Sequence, residues 1–254
     1  MSKILFYDIE TSLQLAAIFQ LAHNDYINPE SLVTDRYIIC AAWQWEGSNK
    51  IETLSVLDDP KRYKKDPHDD TYVVTKLREI LAGADTLVAH NGDQFDKRYI
   101  DTRILVHGLE PLPPINSVDT YKVAKSKFYL NSNKLDYIGK LLKVGQKAKT
   151  SPGLWMRVLN GEAKAVKEMV EYNKQDVTLL RNVYMKLRPY INTQLSREFF
   201  GEDGCPKCGS QKIQSRGVHR AITKEYQRFQ CQSCGGWFRM LRAEQGTTTQ
   251  YRVL

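Results

Sequence analysis

The hydrophobic pattern of the chain begins with KILFYDI at residues 3–9, an apolar segment without polar alternation. Such a segment is typical of a strand that is buried on both faces. Three further segments predict strands in the same way, at residues 37–45 (YIICAAWQW), 51–57 (IETLSVL) and 86–90 (TLVAH). A turn around Gly47 and Asn49 joins the second strand to the third, and Asn91-Gly92 follows the fourth.

Elsewhere apolar residues recur three or four positions apart, which predicts amphipathic helices. The predicted helices cover about residues 73–82, 95–106, 134–142 and 162–188. Gly83 and Pro189 end the first and the last, and Ser132 or Asn133 is the expected N-cap of the third. Residues 13–22 (LQLAAIFQLA) are also helix-prone, either as a core helix or as a wedge over a cleft. Strands followed by alternating helices and a strand predict an α/β fold with a mixed sheet flanked by helices.

The length of 254 residues allows one well-buried domain and a small second one. We expect the first domain over residues 1–190, a connector at 191–204, a small module at 205–240 and a loose tail at 241–254. No segment approaches the about 20 uninterrupted apolar residues that span a membrane. The N-terminus has acidic residues where a secretory signal would have its cleavage site, so the expected compartment is the cytoplasm.

Positive charge is concentrated in two segments. The chain carries 37 Lys and Arg against 29 Asp and Glu, a net charge of +8. Residues 122–149 hold eight lysines and one acid, and residues 205–254 hold nine basic residues and two acids, so each has a net charge of +7. This distribution indicates a polyanionic partner, and a solvated surface is the alternative for any single lysine cluster.

Two carboxylates, Asp8 and Glu10, end the first predicted strand. Residues two apart on a strand share a face, so the carboxylates repel each other in a partly dry site. A bound divalent cation would offset that repulsion, because it takes oxygen ligands. The alternative is a frayed strand end in which both groups lie in water.

Two more acidic motifs follow along the chain. In HNGDQFD, at residues 90–96, Asp93 could cap the coming helix, which would leave Asp96 in its first turn free for a metal. In YNKQD, at residues 172–176, Tyr172 and Asp176 lie four positions apart and therefore share a helical face. That face borders the apolar stripe, so both side chains are expected to point inward or toward a cleft.

FYDIET, HNGDQFD and YNKQD, in this order, resemble the three motifs of the DEDD exonucleases of the subtype with tyrosine in the third motif. These are ribonuclease-H-like 3′→5′ exonucleases, and the resemblance covers roughly residues 3–188. SNKLDYIGKLL and VEYNKQDVTLL, followed by a module with four cysteines, are most similar to small exonucleases of bacterial phages and prophages.

The resemblance implies a two-metal mechanism, with Asp8, Glu10, Asp96 and Asp176 holding two Mg²⁺ or Mn²⁺ ions. Tyr172 would orient the attacking water, because a phenol with its ordinary pKa is a poor base at neutral pH. The expected products are nucleoside 5′-monophosphates, and DNA is the expected substrate. RNA is one alternative, and a nucleic-acid-binding protein with a vestigial nuclease fold is another. The sequence does not identify a replication or repair protein as a partner.

Five further residues are candidates for substrate contact, and for each the alternative is a purely structural role. Thr11 follows the first carboxylates, and His90 and Asn91 end the strand beside the predicted metal site. Lys134 begins a helix that lines the substrate cleft in similar folds. Arg228 belongs to the C-terminal module.

The cysteines predict one structural Zn²⁺. Cys205-x2-Cys208, a gap of 22 residues and Cys231-x2-Cys234 supply the four thiolates of a zinc ribbon. Cys40 lies in an apolar segment and is expected in the core. Basic and aromatic residues alternate between the ligands: Arg216, Arg220, Lys224, Tyr226, Arg228, Phe229, Trp237, Phe238 and Arg239. The arginines are expected to contact phosphates, and the aromatics either stack on bases or form the core of the ribbon.

Overall fold

The structure is a computed structural model that describes residues 3–18, 27–191, 204–221 and 224–241. The connector predicted at 191–204 and the tail predicted at 241–254 lie almost wholly outside the described residues. Residues 19–22 of the predicted helix at 13–22 lie outside them as well.

The strands are β1 Ile4–Thr11, β2 Leu15–Ala16, β3 Leu32–Thr34, β4 Ile38–Trp45, β5 Glu52–Ser55, β6 Thr86–Ala89, β7 Asn116–Asp119, β8 Ile213–Arg220, β9 Glu225–Cys231 and β10 Trp237–Leu241. The helices are α1 Pro60–Lys65, α2 Thr71–Ala82, α3 Asp96–Val106, α4 Thr120–Lys127, α5 Leu135–Leu141, α6 Leu154–Leu159 and α7 Ala163–Leu187. Short 3₁₀ turns occupy Pro29–Ser31, Val56–Asp58 and Arg188–Tyr190.

The central sheet has the strand order β5-β4-β1-β6-β7. β4 pairs antiparallel with both β1 and β5, whereas β6 lies parallel to β1 and to β7. The predicted mixed sheet is therefore confirmed. β1 lies at its centre, which explains why this strand is apolar on both faces.

The two faces of β1 pack into two different hydrophobic clusters. Leu5, Tyr7 and Ile9 lie with the apolar residues of α2 and α3. Ile4 and Phe6 lie with the C-terminal half of α7, where the Phe6 and Tyr184 rings meet edge to face at 5.1 Å between centroids. Because side chains alternate along a strand, Asp8 and Glu10 continue the face of Ile4 and Phe6. This periodicity directs both carboxylates toward α7.

Several predicted boundaries need correction. The structure extends β1 to Thr11, so both carboxylates lie inside the strand, and no frayed end carries them. The described part of residues 13–22 is not helical, because Leu15–Ala16 pairs with β3 in a small antiparallel ladder. Lys134 is the N-cap of α5, and the Ser132 hydroxyl accepts a hydrogen bond from its backbone N–H.

Six helices and strands before the ribbon went unpredicted: β2, β3, β7, α1, α4 and α6. β7 (NSVD) is short and has only Val118 as an apolar residue, so it shows no period. α4 (TYKVAKSK) reads as a lysine-rich segment, and α6 (LWMRVL) is too short to show helical spacing.

The C-terminal strands form a separate three-stranded antiparallel sheet in the order β10-β9-β8. It touches the central domain through Arg188, whose guanidinium donates to the Lys207 carbonyl and, at 2.5 Å, to Glu46 Oε1. Lys207 Nζ in turn donates to the Pro189 carbonyl. Among the described helices, none is long and apolar enough to cross a bilayer.

Candidate active site and candidate zinc site

Carboxylate oxygens of Asp8, Glu10 and Asp176 converge to within 4.8 Å of one another. β1 supplies the first two, and α7 supplies Asp176, which is 1% exposed. α7 packs directly against β1 and β4, so its inward face meets the acidic end of β1. Residues that are about 170 positions apart in the chain thus form one acidic cluster.

Asp96 contacts the β1 backbone from α3. It is buried in the first turn of α3, and its Oδ1 accepts a hydrogen bond of 3.2 Å from the Ile9 backbone N–H. Ile9 lies between the two carboxylate residues of β1, so Asp96 lies beside them. Three of the four predicted carboxylates therefore have oxygens within 4.8 Å of one another, and Asp96 lies next to them.

A tight turn delivers Asp96 to this position. Asn91 has a left-handed φ of 62°, and a side chain at Gly92 would put its Cβ 2.3 Å from the Ala89 Cβ. Glycine is therefore required here. The turn is also held by Asp119 of β7, whose carboxylate accepts the Asn91 backbone N–H at 2.8 Å and N-caps α4.

The expected cap of α3 by Asp93 is wrong. Asp93 accepts hydrogen bonds from Ser117 Oγ at 2.5 Å and from Lys122 Nζ at 2.7 Å, on the neighbouring β7–α4 segment. α3 begins after Phe95 without a side-chain cap. Asp119, which the sequence reasoning did not single out, performs the turn-holding role, because the unpredicted β7 ends beside β6.

Burial and mutual repulsion raise the carboxylate pKa values. Burial is the main cause for Asp8, whose pKa lies well above its usual range, and the charges of Asp96, Glu10 and Asp176 add to it. Burial, followed by the charge of Asp176, raises the pKa of Glu10 to about 8. Burial likewise raises the pKa of Asp96 to about 7. The cluster thus holds more negative charge than the protein alone can stabilise at neutral pH.

Among the described residues, Lys147 places a positively charged ammonium group within this acidic cluster. Its ammonium donates to Asp176 Oδ2 at 2.6 Å and to the Tyr172 hydroxyl at 3.3 Å. The Lys147 backbone N–H donates a hydrogen bond to the Asp136 carboxylate. The loop before Lys147 passes close to α5, so that a Cβ at Gly139 would lie 2.7 Å from the Gly145 carbonyl oxygen. Sequence reasoning counted Lys147 only as part of a basic segment. Nothing in its spacing marks it, because its partner is 29 residues away.

Asn173 is the second residue that the sequence reasoning missed. It is fully buried in α7, and its Nδ2 donates to Asp8 Oδ2 at 2.6 Å. Cys40, buried in β4 as predicted, lies beside it with Sγ 4.0 Å from Asn173 Oδ1. A polar residue inside the YNKQD motif was the available signal, since Asn173 lies one residue after Tyr172 and three before Asp176.

The donor set fits divalent cations. All four side chains offer hard carboxylate oxygens, the ligands that Mg²⁺ and Mn²⁺ prefer. Asp176 Oδ1 is buried and has no hydrogen-bond partner among the described residues. A buried carboxylate oxygen without a partner is costly, so an added ligand bond would satisfy it. One ammonium against four carboxylates leaves the cluster short of positive charge.

The five predicted substrate contacts differ in their exposure and in their distance from the acidic cluster along the chain. Thr11 ends β1 and is buried against β4, where it pairs with Ile38. His90 and Asn91 follow β6, and His90 Nδ1 lies 2.9 Å from Thr120 Oγ1. Burial lowers the pKa of His90 to about 4, and the nearby Lys147 charge contributes to that shift. Lys134 is exposed at the start of α5, and Arg228 is exposed on β9.

The four cysteines of the C-terminal module form one cluster, with their sulfurs within 4.8 Å of one another. Cys205 Sγ lies 3.8 Å from Cys234 Sγ, and Cys208 Sγ lies 3.6 Å from Cys231 Sγ. These separations exceed a disulfide bond and match the about 3.8 Å edge of a tetrahedron with Zn–S bonds of about 2.3 Å.

Backbone amides of the two cysteine knuckles point at the sulfurs, Lys207 N to Cys205 and Ser233 N to Cys231, each at 3.4 Å. Burial raises the pKa of Cys205 to about 11, whereas at Cys231 backbone N–H groups of Cys234 and Ser233 outweigh burial and lower the pKa to about 7. Since Zn²⁺ binds thiolates, the cluster fits a structural zinc.

The aromatic residues of the ribbon divide between its faces. Phe229 and Phe238 stack at 5.5 Å between centroids with an angle of 16°, on the face of the buried Met240. Trp237 lies on the other face and is 49% exposed. Phe229 and Phe238 thus fit the alternative of a ribbon core, whereas base stacking by the exposed Trp237 stays a prediction.

A mixed five-stranded sheet, with carboxylates from its central strand and two flanking helices meeting at one point, defines the ribonuclease-H-like class of nucleases. The chain belongs to the RNase_H superfamily, whose sequence pattern matches residues 5–188. The fold class predicted from the sequence is thereby confirmed. No curated protein sequence matches the chain.

A similar solved structure is that of the family B DNA polymerase from the hyperthermophilic archaeon Pyrobaculum calidifontis. The match has a TM-score of 0.54 and 15% sequence identity, and it covers 75% of this chain but only 25% of the polymerase. At this identity the likeness concerns the fold. Superfamily membership and the acidic cluster together indicate a nuclease.

Proposed function

We propose that the protein is a metal-dependent 3′→5′ exonuclease of the tyrosine-containing DEDD subtype that releases nucleoside 5′-monophosphates from DNA. The observation that carries this proposal is the convergence of Asp8, Glu10 and Asp176, with Asp96 beside them, on the face of β1 that meets α7. The proposed subtype rests on the three motifs together with the position of Tyr172 above Asp176.

Asp8, Glu10, Asp96 and Asp176 would hold Mg²⁺ or Mn²⁺. Two such ions, when bound, stabilise the departing 3′ oxygen and lower the pKa of the attacking water. Because burial raises the pKa values of Asp8, Glu10 and Asp96, cation binding at these carboxylates would be coupled to proton release. Asn173 holds Asp8 in place through its hydrogen bond to Oδ2.

Tyr172 has a positioning role in this proposal. Burial raises its pKa, and the charge of Asp176 adds to the shift, so the phenol keeps its proton at neutral pH. A protonated hydroxyl can donate to or accept from the attacking water but is a poor proton acceptor. Trp155 packs edge-on against the Tyr172 ring at 6.2 Å and holds it in place.

Lys147 would leave Asp176 when a divalent cation binds there. Its ammonium then lies on a loop beside the acidic cluster, where a scissile phosphate could accept its hydrogen bonds. DNA as the substrate, and a source among phages or prophages, belong to this proposal through the resemblance of the motifs. RNA stays the alternative substrate, since discrimination at the 2′-hydroxyl depends on one or two side chains.

The Lys147–Asp176 ion pair itself favours a second candidate, a nucleic-acid-binding protein in which a lysine has replaced the metals. The two candidates differ in metal binding. Titration of Mn²⁺ into the protein, followed by calorimetry, gives binding with heat for the nuclease and no binding for the vestigial fold.

Cleavage of 3′-labelled single-stranded DNA in Mg²⁺ tests the proposed activity. Asp8→Asn and Asp176→Asn are expected to lower the rate about a thousandfold, equivalent to about 4 kcal/mol of transition-state stabilisation. Asp101→Asn is the matched control, because this half-exposed carboxylate of α3 pairs only with Lys97 among the described residues. Equal rates for Asp8→Asn, Asp101→Asn and the unmodified protein would contradict the proposal. RNA and a DNA with a blocked 3′ end complete the substrate panel.

A further inference from the structure

The zinc ribbon has one sheet face on which exposed basic, amide and aromatic side chains lie in register. Residues directly opposite each other in antiparallel strands share a face, and Arg228 pairs with Arg239 while Gln230 pairs with both Trp237 and Gln214. We call these five residues the ribbon platform. Arg228, Trp237, Arg239 and Gln214 are exposed.

Among the described residues, the arginine pair of the platform has no carboxylate partner. Like charges directly opposite in a β-ladder destabilise it. Among the described residues, no carboxylate forms an ion pair with Arg228 or Arg239, although Arg220 of the same sheet pairs with Glu225 at 2.8 Å. An anion shared by the two guanidinium groups would remove the repulsion.

Arg239 is also held in one orientation. Its guanidinium carbon lies 4.7 Å from the centroid of the buried Tyr226 ring, which lies on the platform face beneath it. A guanidinium that is stacked on an aromatic ring keeps its N–H edges free for an anion. The side chain is therefore preorganised, which lowers the entropic cost of binding a ligand.

Trp237 adds an aromatic surface beside the arginines. It is two residues from Arg239 along β10, a separation of about 7 Å on one strand face. Its half-exposed ring is not part of the ribbon core, which Phe229 and Phe238 occupy on the opposite face. A flat aromatic ring next to two unpaired guanidinium groups suits a base and its neighbouring phosphates.

We infer that the ribbon platform binds single-stranded nucleic acid, with Trp237 stacking on a base and Arg228 and Arg239 binding adjacent phosphates. The inference rests on the proposed function for the identity of its ligand. The platform lies outside the acidic cluster, so it is a binding site separate from the proposed active site.

The test measures binding without cleavage. Full-length zinc-loaded protein carrying Asp8→Asn is titrated into a 5′-fluorescein oligothymidylate without added Mg²⁺, and fluorescence anisotropy is followed at several salt concentrations. Trp237→Ala is expected to weaken binding about fivefold to a hundredfold, the range for loss of one base stack. Arg228→Gln and Arg239→Gln should each weaken binding and reduce the slope of log K against log salt by about 0.7.

Arg220→Gln is the matched control, because it removes the same charge from the same sheet but from the face of Glu225. It should leave the affinity close to that of the parent. Zinc content, measured for each variant, reports folding of the ribbon, and Trp237→Phe, which keeps a ring, should retain most of the binding. Normal zinc content with unchanged affinity and salt slope in Trp237→Ala, Arg228→Gln and Arg239→Gln would overturn the inference.

An equal loss in Arg220→Gln and Arg239→Gln would also overturn it, because binding would then follow total charge. The outcome is independent of catalysis. If the unmodified protein fails to cleave DNA but the platform variants lose affinity, the proposed function fails and the platform stands. An oligouridylate arm distinguishes DNA from RNA as the bound strand.

Discussion

The two candidate metal sites of this protein are assembled in opposite ways. The acidic cluster takes its ligands from β1, α3 and α7, and these elements pack into two large hydrophobic clusters. The cysteine cluster takes its ligands from two tight knuckles at the end of a small sheet. In the described ribbon the buried apolar residues are few: Cys205, Tyr226, Cys231 and Met240.

The difference indicates whether the protein fold organises the metal site or the metal organises the fold. In the central domain, the hydrophobic core positions the carboxylates and must overcome their repulsion, so the fold precedes the metal. In the ribbon, the buried area is too small to offset the loss of chain entropy, so a bound metal would have to supply the folding free energy. The same element, a bound cation, is therefore expected to serve activity in one region and stability in the other.

The largest expected effect is the loss of the ribbon when its zinc is removed. Cys231→Ser should unfold the ribbon, because structural zinc contributes about 10–16 kcal/mol of apparent binding free energy in small zinc modules. The central domain should keep its own cooperative unfolding transition. Zinc content and the NMR signals of the ribbon amides measure the first effect, and thermal unfolding measures the second. A folded ribbon without zinc would break the comparison.

Arg188 tests how independent the two regions are. Arg188 is 6% exposed, and its guanidinium joins Glu46 of the central domain to the Lys207 carbonyl of the first knuckle. Arg188→Met should lower the free energy of unfolding of the central domain by about 3 kcal/mol, because it leaves Glu46 and a carbonyl without their partner. Urea unfolding measures this loss. The control is Lys186→Met, which changes an exposed residue two positions before Arg188 and should leave the free energy of unfolding nearly unchanged.

Lys147 sharpens the comparison on the acidic side. Lys147→Met removes the ammonium that competes with a divalent cation for Asp176. Mn²⁺ should then bind about tenfold more tightly, a gain of about 1.4 kcal/mol. Calorimetry with Mn²⁺ is the measurement, and Lys143→Met, on the same basic segment, is the control. Weaker Mn²⁺ binding in Lys147→Met would show that the lysine supports the metal site.

The smallest expected effect concerns His90. Its pKa is lowered to about 4 by burial, below the ordinary value of about 6.5, so the folded protein binds this proton less readily than the unfolded chain. Its contribution to stability is therefore present above about pH 6.5 and is lost as the pH falls toward 4. His90→Gln should reduce the loss between pH 7 and 6 by about 0.7 kcal/mol. Urea midpoints of both proteins across that range test it, and parallel curves would contradict it.

The sequence predicted the elements that depend on local interactions and missed those that depend on contacts with distant parts of the chain. The buried strands, α2, α3 and α7 follow from local periodicity, and Gly83 ends α2 as expected. The cysteine ligands could be predicted in the same way, because each knuckle is a local motif with its own spacing. β7, α4 and α6 could not, since their short or charged segments have no period of their own and form only against β6 and α7.

The sequence by itself determined which residues are acidic, which strand and helix faces carry them, and where four thiolates recur at ligand spacing. Only the tertiary structure decided that Lys147 and Asn173 join the acidic cluster, and that Trp237, Arg228 and Arg239 share one face of the ribbon. The physical reason is that the first set depends on alternation and spacing within single elements. The second depends on packing and strand register between elements, which no local pattern encodes.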